Sequence, residues 1–85
     1  MFNFEEQTEE QKVERQISAM RDSLNLIHEV IGKGAHDKEA HDTIRRNYEH
    51  LEIMLGQEQI QGSGADLTEF TEVVEAGKAF VADPA

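Results

Sequence analysis

The 85 residues carry 18 acids against 8 bases, a net charge of −10; a chain this short makes one domain at most and buries only somewhat over ~60% of the surface its unfolded form exposes. Hydrophobic residues are 38% and charged residues 31% of the chain, so the core is thin, and the excess of acid works against direct binding of nucleic acid or an anionic membrane. Cysteine is absent, which removes disulfides, thiol catalysis and thiolate zinc sites and points to a reducing, cytoplasmic setting, the host cytoplasm if the source is viral.

No apolar run approaches the ~18 residues of a membrane helix. The start MFNFEEQTEE is acidic where a secretory signal needs positive charge. Residues 1–7 are therefore expected to be an acidic, flexible tail. Phe2 and Phe4 are its two aromatics and a candidate anchor for a groove on a neighbouring chain.

Residues 8–85 are predicted to form one all-α domain, with helices over about 8–32, 37–58 and 66–82. Thr8 and Gln11 have the capping-box spacing, in which each side chain satisfies a free amide of the other residue, and Glu9 and Glu10 suit the positive end of the helix dipole. Val13, Ile17, Met20, Leu24, Ile27 and Ile31 then recur at spacings of four and three, one apolar seam along the helix. Gly32 and Gly34 predict the turn that follows.

Asp37 is positioned to cap the second helix. Its inner face reads Ala40, Ile44, Tyr48, Leu51, Met54 and Leu55, with Asn47 as a polar intruder. Gly56 either ends this helix or is tolerated within it at roughly 1 kcal/mol. Residues 61–65, QGSGA, read as a flexible connector. In the third helix, Asp66 with Glu69 repeats the logic of a cap plus an acidic third residue, and Leu67, Phe70, Val73, Val74, Phe80 and Val81 form a broad apolar face interrupted by Gly77.

The expected architecture is an antiparallel helical hairpin plus a shorter third helix. The third helix either closes a three-helix bundle or leaves a hairpin that self-associates. Leu26 and Val30 lie off the first seam, and Ile53 and Ile60 lie off the inner face of the second helix; together they are the candidate self-association edge. Asp66, Glu69, Glu72 and Glu75 recur every three residues and form a candidate acidic docking face for a basic partner.

Catalytic and metal chemistry find little to work with. His36 and His41 are five residues apart, which on a continuous helix turns their side chains roughly 140° from one another, a poor chelating pair. Asp37 and His41 could share a face, yet two ligands do not hold a metal without others. His28 is read as dipole-complementing in the last turn of the first helix. Ser18, Ser23 and Ser63 lack a spaced His and Asp to activate them. No catalytic residue, cofactor or metal site is assigned.

The expectation is a non-enzymatic, protein-binding or assembly module that forms homo-oligomers and binds protein partners that themselves carry a basic surface. The alternative is an inhibitor whose acidic helix occupies a basic, nucleic-acid-binding site of an enzyme. The composition is similar to that of small phage and mobile-element accessory proteins, a likeness that assigns no residue.

Overall fold

The computed structural model of the protein describes residues 8–82, which are all-helical, with no strand among them. Four helices follow in order: α1 (Glu9–Lys33), α2 (Lys38–Leu55), a single turn α3 (Glu58–Gln61) and α4 (Thr68–Ala82). The tail and its Phe2 and Phe4 lie outside the described residues.

The start of α1 follows from local chemistry. The Gln11 amide donates to the Thr8 hydroxyl at 3.0 Å and the Thr8 amide donates to Gln11 Oε1 at 3.1 Å, closing the capping box. Gly34 ends α1 at φ 77°, a left-handed conformation that glycine adopts without steric penalty, and its N–H reaches back to the Ile31 carbonyl. Three residues later the Asp37 carboxylate accepts from the Ala40 amide at 2.8 Å and starts α2. A four-residue connection so tightly capped folds α2 back beside α1. Leu26 lies near Thr43, and Ser23 meets His50, so the two helices are antiparallel.

The second helix is shorter than its periodicity predicts: it ends at Leu55 rather than near 58. Gly56 takes three carbonyls of the last turn on its N–H, and the chain redirects into α3. This break moves Ile60. On an unbroken helix it would share a face with Ile53, seven residues earlier; after the break it is fully buried in the core. Its place in the self-association edge is corrected accordingly.

The core gathers Met20, Leu24 and Ile27 of α1, Ala40, Ile44 and Leu51 of α2, Ile60 of α3, and Phe70, Val73, Val74 and Phe80 of α4. Burial of such side chains, each contributing ~1.5–3 kcal/mol, outweighs exposed ion pairs such as Glu29–Lys33 and Lys38–Asp42, which add only ~0.3–0.5 kcal/mol each. Asn47 is less of an intruder than its position implies, because it is half-buried and its amide donates to the Thr43 carbonyl at 2.7 Å.

Against this pair of helices α4 packs through Gly77. A Cβ there would lie 3.1 Å from Tyr48 Cδ2 and 3.2 Å from Ile44 Cγ2, so α4 approaches α2 as closely as it does because residue 77 has no side chain. Arg21 of α1 pairs with Glu69 at 3.4 Å and lies 5.4 Å from the Phe70 ring centre, while His36, just past α1, stacks on Phe80. Both contacts advance together, so α4 runs in the direction of α1.

Candidate functional site

Helix lengths set where surface is left over. At 1.5 Å per residue α1 extends about 38 Å, α2 about 27 Å and α4 about 23 Å. Since Arg21 meets Glu69 near the start of α4, roughly the first three turns of α1 run past it. There Val13 and Ile17, members of the apolar seam, stay half-buried and line a groove of about 580 Å³. Glu9, Glu10 and Glu14 form one wall and Gln59 with residues 62–65 the other. Ser63 fixes that second wall: its hydroxyl donates to the Ile60 carbonyl and accepts from the Ala65 amide.

A second groove of about 340 Å³ lies near the turn end, where Leu26 and Val30 meet Ala40 and Thr43. Leu26 is 38% exposed there and Val30 is half-buried. Ile53 does not join them. It is nine residues, or 180° of helix, from the fully buried Ile44, and is 63% exposed. Measured from the Ser23–His50 contact, Leu26 and Ile53 diverge by about 9 Å along the antiparallel pair.

Ser23 and His50 were not paired by sequence reasoning, because the partners are 27 residues apart and meet only when the helices fold together. Ser23 Oγ is 3.0 Å from His50 Nδ1, and the serine is buried. The pair ties α1 to α2.

The histidines at the turn also differ from the helical-wheel expectation. His36 precedes the first residue of α2, so the angle computed for a continuous helix does not apply, and the two rings lie 5.7 Å apart, edge to face. His36 stacks on Phe80 at 4.1 Å and His41 meets the same ring edge-on at 5.3 Å. His41 is buried, with Nε2 lacking a hydrogen-bond partner among the described residues. No group of three metal-capable side chains forms among those residues. His28 is exposed and more than a turn from the end of α1, where Lys33 takes the dipole-complementing place.

The acidic row along α4 is partly used internally. Glu69 reaches Arg21, and Lys78 hydrogen-bonds Glu52 of α2. That bond, with the charges of Glu52 and Glu75, holds the Lys78 ammonium above its ordinary pKa. Glu72 and Glu75 are exposed. Asp66 is not the cap foreseen for this helix. Regular structure begins at Thr68, and the Asp66 carboxylate accepts the Thr68 amide at 3.0 Å, which together with the Thr68 side chain holds it below the usual carboxylate value.

Among the described residues, no helix is long and apolar enough to cross a membrane. Comparisons of the chain with protein-family models, curated proteins and solved structures give no match, and the functional reading therefore rests on the surfaces above.

Proposed function

We propose that this chain is a helical protein-binding and assembly module rather than an enzyme, and that it self-associates through the α1–α2 face around Leu26 and Val30. In this reading α1, α2 and α4 make a three-helix bundle within one chain, and α4 covers only one side of the α1–α2 pair. The observation that carries the proposal is the Leu26–Val30 groove, which lies in the charge-balanced stretch of the described residues.

Residues 26–46 hold four bases, Lys33, Lys38, Arg45 and Arg46, against four acids, Glu29, Asp37, Glu39 and Asp42. The remaining described residues hold eleven acids and four bases. A symmetric contact sets a surface against its own copy, so an acid-rich end repels itself while a balanced one does not. Apolar side chains exposed within the balanced region are the natural centre of such a contact.

The test is Leu26→Asp in the full chain, followed by light scattering and circular dichroism. Retained helicity with a fall to monomer mass supports the proposal. An oligomer unchanged in mass would place the contact elsewhere.

A further inference from the structure

We infer that the groove over the first turns of α1 is a second, separate interaction site, and that it takes a basic amphipathic segment of another protein: one or two apolar side chains flanked by lysine or arginine. It does not depend on the self-association reading, since Val13 and Leu26 are thirteen residues, or about 20 Å, apart along α1.

The floor comes from the fold. Val13 and Ile17 continue the stripe that α2 and α4 cover farther along, but here α4 has not begun and the opposite wall is Gln59 with Gly62, Ser63, Gly64 and Ala65, of which only Gln59 brings a long side chain. The wall is nonetheless held in place, by the two Ser63 hydroxyl hydrogen bonds and by the Gly62 and Ser63 amides, which donate to the Glu58 and Ile60 carbonyls. A cleft of about 580 Å³ falls within the ~300–1,000 Å³ typical of ligand-binding sites, and its floor is aliphatic.

The charge chooses the occupant. Glu9, Glu10 and Glu14 line the groove, and Lys12, 3.7 Å from Glu9, offsets one of them. The groove also belongs to the part of the molecule with eleven acids against four bases. Phosphate-bearing ligands and a second copy's acidic end are repelled there; a cationic chain is drawn in, and an apolar anchor on it gains burial on Val13 and Ile17.

The probe is a fluorescein-labelled helical peptide of lysine and leucine, titrated against the full chain, with a lysine–serine peptide of equal charge as comparison. The lysine–leucine peptide is expected to bind at least about tenfold more tightly. Amide chemical-shift changes should concentrate in residues 9–17 and 62–65. Val13→Ser, and separately Glu10→Gln with Glu14→Gln, should each weaken binding about tenfold with helicity retained, while Ile53→Ser, at an exposed position of α2 outside both grooves, leaves it unchanged. Equal binding of the two peptides, no binding, shifts centred on α4, or indifference to Val13→Ser would each overturn the inference. So would a tenfold gain on Phe2→Ala with Phe4→Ala, which would make the chain's own first residues the occupant.

Discussion

Gly77 provides a quantitative test of how α4 meets α2. In a helix interior Gly→Ala ordinarily stabilises by ~1 kcal/mol. At residue 77 the new methyl would find Tyr48 Cδ2 at 3.1 Å, Ile44 Cγ2 at 3.2 Å and Tyr48 Cβ at 3.3 Å, all inside the ~3.5–4.0 Å optimum for carbon contacts. Ile44 is fully buried and β-branched, and the Tyr48 Cβ is fixed to its backbone, so neither swings away and the helices must part by a few tenths of an ångström. Overpacking of this kind costs ~1–3 kcal/mol, which leaves Gly77→Ala destabilised by ~1 kcal/mol, or roughly 4–8 °C in Tm for a domain of this size. Gly32 is the internal comparison: it is also helical, but a Cβ there meets nothing within 4 Å. Gly32→Ala, near the helix end, should stabilise by ~0.5 kcal/mol. Thermal and urea unfolding followed by circular dichroism reads both. If Gly77→Ala raises Tm as Gly32→Ala does, the close approach of α4 to α2 is wrong.

Ile60 and Ile53 should behave oppositely on substitution: Ile60→Ala is expected to lose ~2–5 kcal/mol and Ile53→Ala less than ~0.5 kcal/mol in urea unfolding, and similar losses would contradict the redirected chain after Gly56. Ser23→Ala removes the α1–α2 cross-link and should lower stability by ~1 kcal/mol; an unchanged urea midpoint would show the bond to be unimportant. Lys78 has a raised pKa when folded, so its contribution is full below the unfolded value near 10.5 and fades as pH climbs through the folded value. The urea-midpoint gap between the wild-type chain and Lys78→Met should therefore narrow above pH 10.5, and a gap constant across that range would speak against the Glu52 contact.

Signals confined to neighbouring residues were legible in the sequence. The Thr8–Gln11 box, the turn at Gly34 and the Asp37 cap each depend on atoms three or four positions apart, so residue types alone specify them. Readings that extrapolated a helix past its true end did not transfer. Ile60 was set beside Ile53 by a spacing of seven, but Gly56 breaks the helix between them; His36 and His41 were set apart by a helical angle, but only His41 lies on α2. The Ser23–His50 bond and the groove over Val13 and Ile17 come from neither kind of signal. They arise from how three helices of unequal length align, which is fixed by long-range packing around Met20, Ile44 and Phe70.

The central claim is that copies of this chain meet through the charge-balanced face around Leu26 and Val30, and it is tested most directly by the solution mass of the wild-type chain. Light scattering after gel filtration, at low and at high salt, should give a defined oligomer at both, because a contact of balanced charge and apolar centre is little affected by screening of exposed charges beyond ~8 Å at 0.15 M. A monomer at both salt concentrations would contradict it.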